Sequence, residues 1–247
     1  MPPRSAVAGV ALLLTACAHG PALTKATPAE LPAPMSGRYT IWRDGEAIGE
    51  ERFTITSSAG VFRLQGLLVI GGALSSTQGY ALEVDLRSFE PRRFSVWLEL
   101  ASERESAEGR REGDAIEVTT ENIAGTGKRK LPYAKGTMID LGTPISHAVA
   151  LSLLLPTLRQ AVPSPVRTLR VPLPLLLPEI AVVEYVLYGE KPSQLGTRVL
   201  VRDSRSRSRP VGLWVRPDGV PLRARVFPIG GGAPYDLMLD QDVVRGY

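Results

Sequence analysis

The sequence predicts a mainly β (α+β) domain: a single curved antiparallel sheet, a half-open barrel of about ten strands, wrapped around one long helix at about 144–160. Three observations lead there. Most of the chain falls into short alternating segments divided by turn signals such as Asp44-Gly45 and Asp218-Gly219. The 24 glycines and 21 prolines call for many turns. Only one long stretch, Thr143 to Gln160, carries helix signals together with a nearly continuous apolar surface.

In that stretch Thr143 is a suitable N-cap, and Pro144 suits the first helical position, where a missing N–H is no loss. Arg159 suits the C-terminal end through the helix dipole. Seventeen residues give a rod of roughly 25 Å. The apolar residues, Ile145, Val149, Leu151, Leu154, Leu155 and Leu158 among them, cover most of the circumference. A helix apolar on nearly all sides is buried on more than one of them.

The remaining elements follow in order. Arg38 to Arg43 alternates and turns at Asp44-Gly45 into Ala47 to Thr56. Val61 to Ile70 is a third strand, Gly71-Gly72 turns it, and Ser75 to Asp85 returns. Arg93 to Leu100 alternates around Phe94, Val96 and Leu98. Ala101 to Asp114 is so highly charged that it reads as a long polar hairpin end. Ala115 to Glu121 is a strand, Gly125 to Lys130 a basic turn, and Thr137 to Leu141 leads into the helix. Five prolines between Pro163 and Pro178 exclude a helix and a central strand, so Leu169 to Leu177 reads as an extended edge or rim. Ile180 to Tyr188, Thr197 to Arg202, Val211 to Arg216, Leu222 to Phe227 and Tyr235 to Val244 complete the sheet.

The net charge of +4 does not suggest a nucleic-acid partner. One cysteine, Cys17, excludes an intramolecular disulfide. Arg4 supplies a positive n-region, and Ala6 to Leu14 is an apolar run too short to span a bilayer. Leu14-Thr15-Ala16-Cys17 then resembles the bacterial lipoprotein box. That resemblance implies cleavage before Cys17 and acylation of its thiol and amine; two or three acyl chains hold a protein at a membrane where one does not. Ala18, in place of Asp, resembles the outer-membrane rather than the inner-membrane pattern, which places the domain in the envelope, facing the periplasm. The expected organisation is a signal peptide at 1–16, a lipidated cysteine with a Pro-rich tether at 17–36, and one domain at 37–247.

Two hairpins carry a second resemblance. Tyr39-x-Ile41-x-x-x-Gly45-x-x-Ile48-Gly49-x-Glu51-x-Phe53 is similar to the opening hairpin of bacterial envelope domains of unknown function, and Trp214-x-x-x-Asp218-Gly219-x-Pro221 to their closing hairpin. Those domains resemble Lol-type lipoprotein carriers, a half-open antiparallel barrel with helical cover. The resemblance implies a fold and an apolar ligand class, and supplies no catalytic residues.

No residue pattern specifies catalysis, a metal or a cofactor. His19 lies in the tether, and His147 adjoins Ser146 at an angle of about 100° on a helix, which forbids the usual triad. Gly125-x-Gly127-Lys128 lacks the earlier glycine and the following Ser or Thr of a phosphate loop. Asp236, Asp240 and Asp242 fit no calcium-loop spacing. Glu50 and Glu51 point to opposite faces of a strand, so they form no catalytic dyad. Arg205, Arg207 and Arg209 alternate with serines and are candidates for contact with anionic head groups, or else a solvated strand end.

The sequence reading is therefore a membrane-anchored, non-enzymatic protein that binds a lipid or other apolar ligand. Its cleft lies between sheet and helix, at Leu151, Leu155, Leu158, Leu173 and Leu175. The alternatives are a structural or partner-binding lipoprotein with a filled core and, third, an enzyme whose carboxylates cannot be singled out.

Overall fold

A computed structural model describes residues 34–72, 75–88, 90–133, 138–141, 143, 146, 151, 166–170, 181–203, 211–216, 220–226, 235–240 and 245–246. Its first eight strands form an unbroken meander. They are β1 (Met35–Arg43), β2 (Glu46–Ser58), β3 (Val61–Ile70), β4 (Ser76–Asp85), β5 (Pro91–Leu100), β6 (Glu103–Glu112), β7 (Ala115–Asn122) and β8 (Gly125–Pro132). β9 (Met138–Asp140) and β10 (Val166–Arg170) pair in parallel. A second antiparallel run follows: β11 (Ala181–Ser193), β12 (Gly196–Asp203), β13 (Val211–Val215), β14 (Pro221–Val226), β15 (Tyr235–Leu239) and the short β16 (Arg245–Gly246).

All of them belong to one sixteen-stranded sheet in the order β8-β7-β6-β5-β4-β3-β2-β1-β15-β14-β13-β12-β11-β10-β9, with β16 also on β1. β1 is thus the seam between the two runs, with Tyr39 opposite Leu239 on one side and Glu51 on the other.

The turns follow from local chemistry. Asp44 and Gly45 both have positive φ, 53° and 86°, as a two-residue turn matching strand twist requires. Ala59-Gly60 turns in the same sense, and so does Ala101-Ser102, at φ 50° and 72° without any glycine.

The structure corrects the expected architecture. The sheet is not wrapped around a long helix: the described residues are nearly all strand, no helix is delimited among them, and sixteen strands replace about ten. Of residues 144–160 only Ser146 and Leu151 are described; both have helical backbone and are buried. The Ser146 N–H donates to Thr143 Oγ1 at 3.1 Å, the geometry of the expected N-cap.

Two further expectations fall with the charged stretches. Ala101 to Asp114 is not a hairpin end but mostly β6, and Gly125 to Lys130 is not a turn but most of β8. Charge misled in both cases, because a strand can be fully paired while its charged side chains stay in solvent: β6 is flanked by β5 and β7 and buries only Ala107 and Gly109, and β8 is an edge strand. All of β8 except Leu131 is exposed.

Alternation builds the core. In β1 every second residue, Met35 to Ile41, is buried. Register aligns these positions into cross-strand layers, such as Met35–Ile55–Leu64–Leu82–Phe94. Glycine gives the aromatic rings room. The Phe53 ring lies over Gly37 and the Tyr80 ring over Gly66, each 2.6 Å or less from where a Cβ would stand. The second run supplies Val199, Val201, Leu213, Ala224 and Leu237 to the same cluster, so both runs enclose one core.

Candidate functional site

The inner face carries one polar layer among apolar ones. Tyr39 on β1 is opposite Glu51 on β2, Glu51 opposite Leu68 on β3, and Leu68 opposite Gln78 on β4. Among the described residues, four of the five buried polar or charged ones gather here, namely Glu51, Gln78, Thr143 and Ser146. The fifth, Glu90, lies elsewhere and pairs with Arg111 at 2.5 Å.

Each group in this layer has a definite setting. The Tyr39 hydroxyl donates to the Pro221 carbonyl, and Gln78 Nε2 donates to the Leu141 carbonyl at 3.3 Å. The Ser146 hydroxyl donates to the Thr143 carbonyl at 3.0 Å. Glu51 is fully buried, at 0% exposure. The Tyr80 hydroxyl lies near Glu51 and Thr143 but meets full hydrogen-bond geometry with neither. Burial first, then the Glu51 charge, holds both Tyr39 and Tyr80 well above the ordinary phenol range; Arg216 opposes this at Tyr39. Both rings are therefore neutral donors at any physiological pH.

The outer face carries a trough. Register aligns Thr54, Gln65, Ala81, Ser95, Glu108 and Thr119 in one row across β2 to β7, with Ser36 at one end on β1 and Lys128 at the other on β8. These side chains are mostly short. The row on one side includes Arg38, Arg52, Leu67 and Trp97; the row on the other includes Arg63, Glu83, Arg93, Arg110, Glu117 and Lys130. Two concavities of about 740 and about 810 Å³ lie along the floor and share Gln65, Ala81 and Ser95. Trp97 packs over Gly79, and the Arg104 guanidinium lies 4.5 Å from its ring centroid. Glu83 accepts from Arg63 at 2.7 Å and Arg93 at 2.8 Å. The Arg93 bond leads in holding its carboxyl below the usual range.

Of the residues singled out in the sequence, Leu151 is placed in the core cluster at 1% exposure. Cys17, Leu155, Leu158, Leu173, Leu175, Arg205, Arg207 and Arg209 lie outside the described residues, as does His147. Glu50 and Glu51 do face opposite ways: Glu51 is buried, while Glu50 meets Arg52 at 2.7 Å on the outer face. Among the described residues no group of three or more His, Cys, Asp or Glu is arranged to hold a metal ion, and none of their helices is long and apolar enough to cross a membrane. Sequence reasoning missed the polar layer. The signal was present in Glu51, an inward-phase acid between Gly49 and Phe53.

No protein-family model and no curated protein matches the chain. Among solved structures it is similar to a β-barrel-like protein of domain of unknown function DUF1849 from Brucella abortus. The TM-score is 0.55 at 12% identity, over 88% of this chain and 99% of that one. The shared feature is the fold. This chain is β-barrel-like, and the Brucella protein, itself of unknown function, indicates no enzyme class for it.

Proposed function

We propose that the protein is a membrane-anchored envelope lipoprotein whose β-barrel-like domain binds an apolar ligand on its inner face without transforming it. The observation that carries this reading is the Tyr80 hydroxyl, buried beside Glu51 and Thr143 without full hydrogen-bond geometry to either. Such a group costs about 1–3 kcal/mol in a finished core and calls for an explanation. A mostly apolar interior with a few converging polar groups is the usual design of a small-molecule site. The phenol suits an acyl ligand with an uncharged hydroxyl or amide head. The body of the ligand runs along the apolar layers toward Leu151. The Leu14-Thr15-Ala16-Cys17 box supports the anchor, and lipid-bearing surroundings suit the ligand class.

Uptake of a fluorescent monoacylglycerol by the purified domain tests this. Tyr80→Phe should weaken uptake several-fold with the melting temperature kept or raised, because it deletes a buried hydroxyl that lacks full hydrogen-bond geometry in the protein. Leu151→Trp should block uptake and keep the fold. If the wild type takes up nothing and Leu151→Trp only destabilises, the interior is a filled core and the protein a scaffold.

A further inference from the structure

We infer that the outer-face trough across β2 to β7 is a second binding site, for an uncharged linear oligosaccharide. It lies on the face of the sheet opposite the interior site and does not depend on it.

The shape comes from register. From Ser36 on β1 to Lys128 on β8 the floor row crosses seven inter-strand steps, roughly 34 Å at about 4.8 Å each. Its walls stand two residues to either side along the strands, roughly 13 Å apart. The trough therefore takes an extended polymer lying across the strands. A peptide adding to the sheet would instead run along an edge strand, where backbone hydrogen bonds are on offer.

The chemistry of the lining selects among polymers. The floor offers hydroxyls at Thr54, Ser95 and Thr119 and the exposed Gln65 amide, with Ala81 between them. The larger concavity is lined by four cations, Arg63, Arg93, Arg110 and Lys128, and by four glutamates. The smaller concavity adds Arg38 and Arg52, which are paired with Asp240 at 2.6 Å and Glu50 at 2.7 Å, so a ligand of either net charge gains little from the trough. A chain of hydroxyls gains at every point, since each hydroxyl both donates to a carboxylate and accepts from a guanidinium. The smaller concavity also holds the exposed Leu67, an apolar surface against which the C–H face of a sugar ring can lie, while the Trp97 ring packs over Gly79 with Arg104 over it. Bound Arg63 and Arg93 are already fixed by Glu83, so little side-chain freedom is lost when a ligand arrives.

The test is calorimetric titration of the purified domain with neutral β(1→4)-linked hexasaccharides of glucose and of N-acetylglucosamine, beside hexagalacturonate and a glutamate hexapeptide. The expected result is binding of at least one neutral chain, with an affinity nearly independent of salt. Ala81→Trp, which fills the middle of the floor, should weaken it at least tenfold while uptake of the acyl probe on the inner face is unchanged. Gln65→Ala, at an exposed position, should weaken it several-fold without any change in melting temperature. The inference is overturned if neither neutral chain binds, if only an anionic probe binds, or if both variants bind as the wild type does.

Discussion

Gly66→Ala should destabilise the domain although it adds a single methyl group to a strand. Gly66 lies between Phe53 on β2 and Tyr80 on β4. A Cβ there would stand 2.3 Å from the Tyr80 hydroxyl oxygen, 2.5 Å from its Cζ and 2.6 Å from the Arg52 carbonyl oxygen. The last is backbone and cannot turn aside, and the Tyr80 ring is buried at 4% exposure. Overpacking of this kind costs about 1–3 kcal/mol. Reduced freedom of the unfolded chain returns about 0.4–1 kcal/mol. The net loss is about 1–2 kcal/mol, and at about 2–4 °C per kcal/mol for a chain of this size the melting temperature should fall by roughly 2–8 °C. Thermal unfolding followed by circular dichroism measures it. A double-mutant cycle with Tyr80→Ala should show positive coupling, because removing the ring relieves part of the clash. An unchanged melting temperature for Gly66→Ala would refute the argument that glycine is needed to seat the Tyr80 ring.

Three other outcomes are expected. Cys17→Ala should move the protein from the membrane fraction to the soluble fraction if acyl chains supply the attachment as proposed; a variant that still sediments after a high-salt wash would overturn the lipoprotein reading. Glu83, whose carboxyl Arg93 and Arg63 hold below the usual range, adds stability that is fully present above about pH 4.3, the ordinary glutamate value, and is lost as pH falls through its lower folded value. Glu83→Gln should therefore flatten the acid limb of the stability profile, and an acid limb identical to wild type would remove Glu83 from that account. Replacing Ala101-Ser102 with Asn-Gly should raise stability by about 1 kcal/mol, because both native residues hold positive φ without glycine; denaturant midpoints will show whether it does.

How much of this was legible in the sequence depended on whether a local rule or a distant one governed the residue. The hairpin at Asp44-Gly45 and the strand Val61–Ile70 were readable because turn chemistry and alternation are local. The Thr143 cap was readable for the same reason. β6 and β8 were not, because charge signals exposure and says nothing about whether the backbone is paired. The polar layer depends on register over four strands, and no single segment contains it. Glu51 could be assigned to the face opposite Glu50, but not to the neighbourhood of Tyr39, Tyr80 and Gln78. The outer trough was equally invisible, since Ser95 and Ala81 become a floor only once β4 and β5 are aligned.

The place of β1 at the seam bears on synthesis. As the chain emerges N-terminus first, the first eight strands can pair in sequence, each with the one before it. β1 then waits with one edge bare until β15, some two hundred residues later, arrives to cover it. During that interval the nascent meander presents an unpaired edge beside a half-covered apolar face, the combination that recruits stray strands. Folding therefore ends where it began, and a chain that stops before β15 forfeits the pairing that covers its first strand.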